Sequence, residues 1–310
     1  TLEQRDAGIA ATEVELSEED RRALIAGQWS DAQADELEPH GDALLDALLA
    51  LGEGRTAVGR QALEALLADA TKPCFLLREV GAARALDGDL DGASECFERF
   101  LATLPDGAPE ELVLGARHQL AALSASKGNN EGALEHLWAG VEAAPEDVRA
   151  YKALGAMLRQ LGRDDEAAEV LTSGLDLLEG RPDWQLFQEL GLAHSSAGRV
   201  EAARPWLERV VSMLKENRNF DLPPATALAL ARIHEAEGRL DRAADLYRLL
   251  SMGSDRENHA VYHREAARLL LALDLPDEAR RMLKRAEALL AADPEALREV
   301  REKLAALEPA

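Results

Sequence analysis

Asp87-Gly88-Asp89-Leu90-Asp91-Gly92, followed by Glu98, fits the twelve-residue calcium loop of an EF-hand, with carboxylates at alternating positions, a glycine at the turn and a closing glutamate. Ser94 stands where such loops carry an apolar residue. Small acids beside glycine also arise wherever a helix is capped, so the stretch is read as an inter-helix turn and not as a metal site. His194 and His234, and the i, i+4 pair His259 and His263, are the next metal candidates. Two ligands alone make a poor zinc site, so these are read as packing or surface histidines. Cys74 or Cys96 as a nucleophile needs a histidine beside it to hold the thiolate, and the sequence places none. The chain contains no G-x-x-x-x-G-K-[ST] phosphate loop, no G-x-S-x-G elbow and no H-E-x-x-H pair. Gly52-Glu53-Gly54 with Gly59 lacks the dinucleotide spacing. The expectation is a chain with no catalytic residues, no metal and no cofactor.

The elements around these residues are helices. Ala, Leu, Glu and Arg dominate the 310 residues, only 4% are aromatic, and the 12 prolines mostly punctuate segments. Straight-chain residues lose little rotamer freedom in helices, whereas strands favour the β-branched and aromatic types that are scarce here. No apolar run approaches the ~20 residues of a membrane span; Leu269 to Leu273 is about one helix turn. The first twenty residues carry seven acids and no apolar core of a signal peptide. These features predict a cytoplasmic location and no direct membrane insertion. The net charge of −23 opposes binding to nucleic acid or to an anionic membrane surface.

Six alanines set a register: Ala93, Ala133, Ala167, Ala203, Ala243 and Ala279, spaced by 40, 34, 36, 40 and 36 residues. Five residues before them stand Gly88, Gly128, Gly162, Gly198 and Gly238, with Asp274 as the exception, where one helix must stop. Two before stands an acid every time (Asp91, Glu131, Asp165, Glu201, Asp241, Asp277), suited to the start of the next helix by capping or by its dipole. Twelve before is a small residue (Gly81, Ala121, Gly155, Gly191, Ala231, Ala267), and four after is a large one (Phe97, Leu137, Leu171, Leu207, Tyr247, Leu283). The spacing predicts pairs of short amphipathic helices, small residues lying where the two approach and large ones filling the space beside them. With Cys74 opening one helix and Cys96 midway along its antiparallel partner, the two sulfurs fall about 10 Å apart along the axis at ~1.5 Å per residue, so two free thiols are expected.

This ladder resembles the tetratricopeptide repeat. It is clearest in Tyr151, Leu154, Gly155, Leu158, Gly162, Ala167 and Leu171, then in Phe187, Leu190, Gly191, His194, Gly198, Ala203 and Leu207. Pro105 and Pro145 match the proline that often closes such a repeat. Departures are Arg117, Ala227 and His263 at the first aromatic position and about six extra residues at two junctions. The resemblance implies an all-α, right-handed superhelical solenoid of antiparallel helix pairs. It would comprise six clear repeats, a degenerate repeat before them (Ala43–Leu51 and Ala57–Asp69) and a capping helix with Leu297, Val300, Leu304 and Leu307 on one face. The solenoid with its cap would occupy 40–310. Residues 1–39 would form an acidic segment, disordered over 1–16, with a short helix from Ser17 to Ile25.

If the first helix of each repeat lines a concave face, as in that family, the side chains facing it include Arg78, His118, Gln119, Arg149, Lys152, Arg159, Gln188, Arg232, Arg264 and Arg268, opposed by Glu79, Glu189, Glu235 and Glu265. Seven cations against four acids reverse the overall sign and would draw an acidic or carboxylate-bearing peptide. The other reading, that the arginines pair with neighbouring glutamates, stands beside it. Residues 1–40, with a net charge of −8, are themselves a candidate occupant. The leading expectation is a non-catalytic bacterial scaffold or adaptor that binds a protein or peptide in the groove. The alternatives are a regulatory receptor for a small peptide signal and a helical-repeat module of a larger enzyme.

Overall fold

The computed structural model describes residues 17–215 and 221–307. Its ordered elements are seventeen α-helices and two short 3-10 turns, with no strand among the described residues. The chain divides into two compact units, Thr1–Ala144 and Pro145–Ala310.

The N-terminal unit holds α1 (Glu18–Ala26), α2 (Asp31–Leu37), α3 (Gly41–Gly52), α4 (Thr56–Asp69), α5 (Phe75–Leu86), α6 (Leu90–Thr103), α7 (Glu110–Ser126) and α8 (Asn130–Ala143). From α3 onward the helices pack as successive pairs, α3 with α4, α5 with α6 and α7 with α8. The C-terminal unit continues the scheme with α9 (Val148–Gln160) and α10 (Asp164–Asp176), α11 (Trp184–Ser196) and α12 (Val200–Lys215), α13 (Pro224–Ala236) and α14 (Leu240–Leu250), α15 (His259–Ala272) and α16 (Pro276–Leu289), closed by α17 (Pro294–Ala306).

The six register alanines are all fully buried, at 0% exposure, because each sits where two helices come closest. The small residue on the facing helix completes the contact. A β-carbon added at Gly155 would lie 2.4 Å from Leu171 Cγ, and one at Gly191 would lie 2.7 Å from Leu207 Cδ2. The small-and-large ladder is therefore a packing code in which glycine leaves the volume that a leucine from the partner helix fills.

Each first helix ends in a left-handed residue. Gly162 adopts φ +72°, and Asp274, the one exception in the glycine column, adopts φ +58°. The demand for positive φ is thus set by the tight turn, and aspartate meets it under strain that glycine avoids. The acids two before each alanine lie in the first turns of α6, α8, α10, α12, α14 and α16. Capping itself falls to Asp89 and Asn129, which accept from Gly92 N and Gly132 N; the register acids act through the helix dipole.

One of the two long junctions is absorbed by the connection 104–109 and by the length of α7, which runs to 17 residues. The other is absorbed by α12, of 16 residues, and by the connection after it, of which 216–220 lie outside the described residues. The expected cap exists: in α17, Val300 is buried and Leu297, Leu304 and Leu307 pack against the core of the unit.

The amino-terminal segment holds more structure than the expected short helix. Ser17 caps α1 through Asp20 N, as its spacing predicts. α2 follows, opened by a reciprocal capping box between Ser30 and Gln33. Its Leu37 is fully buried in the core of the unit, and Glu36 accepts three backbone N–H groups, from Cys74, Phe75 and Leu76, at 2.9–3.0 Å. The described part of residues 1–40 packs on α3 and α5, the first helices of their pairs, with Arg22 reaching Asp42 and Asp46. The expectation of disorder over 1–16 falls outside the described residues.

Candidate functional site

The residues with catalytic or metal-binding types are used structurally. Helix α6 already begins at Leu90, inside the EF-hand-like stretch. Asp87 pairs with Arg60 at 2.8 Å, Asp89 caps its own helix, and Asp91 meets Lys127 at 3.1 Å, so these carboxylates diverge onto separate partners. His194 Nδ1 accepts from Arg199 Nε at 3.0 Å, and His259 Nε2 lies 3.0 Å from the Gly253 carbonyl. His234 and His263 are buried, and burial lowers the pKa of both. Among the described residues no three His, Cys, Asp or Glu side chains converge on a metal position. Cys74 and Cys96 are free thiols, and burial pushes each above its usual pKa, opposite to the shift an activated nucleophile needs.

The candidate groove residues divide between the two units. In the N-terminal unit Arg78 and Gln119, from α5 and α7, line one cavity of about 350 Å³ with Glu79, Glu111 and Leu112. Arg78 donates to Glu79 at 2.7 Å and its guanidinium lies 5.7 Å from the Phe75 ring centroid. His118 is half-buried on the same helix as Gln119 and does not line that cavity.

In the C-terminal unit the candidates form rungs between successive first helices. Lys152 of α9 reaches Asp183 at 2.9 Å and Gln185 at 3.0 Å at the start of α11, and Arg159 reaches Glu189 at 2.8 Å. Gln188 of α11 accepts from Thr226 of α13 at 2.9 Å. Arg268 of α15 bridges Glu235 of α13, at 2.6 Å, and Glu265, at 2.7 Å; Arg264 reaches Glu299 of α17 at 2.7 Å. The rungs link side chains of successive helices across the unit. Burial raises the pKa of Asp183, yet the Lys152 ammonium and the Leu186 amide outweigh it and hold the carboxyl below its usual value.

Arg149 turns back onto Asp147, the N-cap of its own helix, at 2.5 Å. Counting cations against the four glutamates of the first-helix face omits Asp147, Asp183 and Glu299, which stand at or before helix starts or on α17, out of phase with the first helices. The fold brings all three against candidate cations. Among the described residues, Arg232 is the one candidate cation with no carboxylate partner; it is exposed on α13. Such half-exposed pairs contribute roughly 0–1 kcal/mol each, so the rungs order the face more than they hold the fold.

No helix among the described residues is long and apolar enough to cross a membrane. Residues 120–183 and residues 226–260 match family models of the tetratricopeptide repeat. Solved structures share the fold. The C-terminal part of a TPR repeat-containing protein from Cytophaga hutchinsonii aligns with a TM-score of 0.62 at 15% identity, covering 82% of this chain and 98% of that one. A tetratricopeptide repeat protein from Parabacteroides merdae aligns at 0.55 and 16% identity, covering 85% and 98%. YrrB, described as a TPR protein with an unusual peptide-binding site, aligns at 0.50 and 20% identity, covering 67% and 99%. The chain thus carries tetratricopeptide-repeat sequence at two stretches, 120–183 and 226–260, and shares the helix-pair fold of tetratricopeptide-repeat structures along most of its length.

Proposed function

We propose that the protein is a non-catalytic binding scaffold whose first-helix face in the C-terminal unit takes a peptide segment of a partner, with a partner carboxylate at Arg232. The observation that carries this reading is the contrast on that face: its other candidate cations are bonded to acids, while Arg232 stands exposed without one among the described residues. A face pre-ordered by satisfied rungs loses little side-chain entropy on binding, and one uncompensated guanidinium supplies a point of specificity. Repeat folds of this kind present several adjacent helices to one ligand. The peptide-binding site named for YrrB, on the same fold, adds support.

The test begins with peptides selected from a random library against the full chain, followed by affinity measurements on Arg232→Glu. Loss of about tenfold or more in affinity, with unchanged helicity, is expected, since a charge-assisted contact of this kind contributes ~1.5–3 kcal/mol. Selected peptides that bind Arg232→Glu and the parent equally well rule out this site.

A further inference from the structure

Helices α12, α13 and α14 line a cavity of about 540 Å³, within the range of small-molecule sites, and none of its lining residues takes part in the rungs. Its apolar wall is Val211, Leu230, Leu246 and Leu249. Its polar lining includes the cations Lys215, Arg239 and Arg242, alongside Glu208 and Asp245. Arg239 is taken up by Glu237, which Arg204 also holds. Lys215 and Arg242 are exposed and have no carboxylate partner among the described residues.

His234 also lines the cavity while being only 5% exposed. Its Nδ1 has no hydrogen-bond partner among the described residues and lies 3.9 Å from the nearest Glu237 oxygen, outside bonding distance. A buried polar ring left unsatisfied beside an open cavity is uncommon in a finished core, and it is relieved when a ligand brings polar atoms or reorders the wall.

We propose that this cavity binds a small organic acid, its apolar body of several carbons seated on Val211, Leu230, Leu246 and Leu249 and its carboxylate held between Lys215 and Arg242. The apolar wall sets the size of the body; the two cations, without a carboxylate partner among the described residues, select the charge. The site is separate from the peptide face, so either can fail without the other.

The full chain, labelled at its histidine rings, is titrated with hexanoate and, separately, with neutral hexanamide, following the His234 ring signal assigned through His234→Gln. A saturable shift with hexanoate and none with hexanamide is expected. Arg242→Ala and Lys215→Ala, both at exposed positions, should each weaken it about tenfold, or ~1.4 kcal/mol, with unchanged circular dichroism. Arg232→Glu should leave it unaltered. No saturable shift, an equal response to hexanamide, or indifference to both substitutions overturns the proposal. So does a response confined to a parallel titration with a short peptide ending in leucine, which would assign the cavity to a protein C-terminus.

Discussion

Gly155 and Leu171 give the sharpest test of the packing code. A β-carbon at residue 155 would meet Leu171 Cγ at 2.4 Å, Cδ2 at 2.5 Å and Cδ1 at 3.0 Å. Cγ is not the far end of a flexible chain, so the whole isobutyl group must rotate, and Leu171 is fully buried with nowhere free to go. Overpacking of this kind costs about 1–3 kcal/mol. Alanine in mid-helix returns about 0.5–1 kcal/mol over glycine, so Gly155→Ala should destabilise by a net of roughly 0.5–2 kcal/mol. Leu171→Ala alone should cost about 2–5 kcal/mol by opening a cavity. In that background the new methyl fills part of the space, so Gly155→Ala should become stabilising by up to about 1 kcal/mol. Urea unfolding of the four proteins, followed by far-UV circular dichroism, measures the cycle. The same sign for Gly155→Ala in both backgrounds would refute the pairing of the small column with the large one.

Three further outcomes are expected. Asp274→Gly should stabilise the C-terminal unit by roughly 0.5–1 kcal/mol in the same assay, because glycine takes φ +58° without the steric penalty aspartate bears. Glu36→Ala should cost about 1–2 kcal/mol and speed hydrogen exchange of the Cys74, Phe75 and Leu76 amides, which lose their acceptor. Burial lowers the folded-state pKa of His234 and His263 below the unfolded value of about 6.5, so below that pH the unfolded chain binds more protons. Their contribution is fully present above about pH 6.5 and is lost as pH falls through it and toward the lowered folded values. Urea midpoints measured between about pH 7.5 and pH 5 should drop, and the drop should shrink in His234→Gln with His263→Gln.

The helix pairs were legible in the sequence because their determinants are local and recur. Ala167, Gly162, Gly155 and Leu171 lie within one repeat, and each column reports one geometric need. Even the exception at Asp274 was informative, since the turn imposes its conformation on whichever residue stands there. Glu36 was not legible: its partners lie 38–40 residues away, at the start of α5, and no periodicity connects them. Helix α2 escaped for the related reason that one capping box over seven residues makes a weak signal until Leu37 is seen to be buried. Helical phase named Lys152, Arg159, Arg264 and Arg268 as facing residues. Phase alone misses Asp183 and Asp147, which stand just before a helix begins, and Glu299 on the capping helix. The charge of a repeat surface therefore depends as much on helix starts and on the cap as on the helices that line it.

The most direct measurement of the central claim is a hydrogen-exchange footprint of the full chain with and without a selected peptide. Protection confined to first helices of the C-terminal unit, strongest on α13 around Arg232, is the predicted result. Protection of the second helices α10, α12, α14 and α16 with α13 unchanged contradicts it.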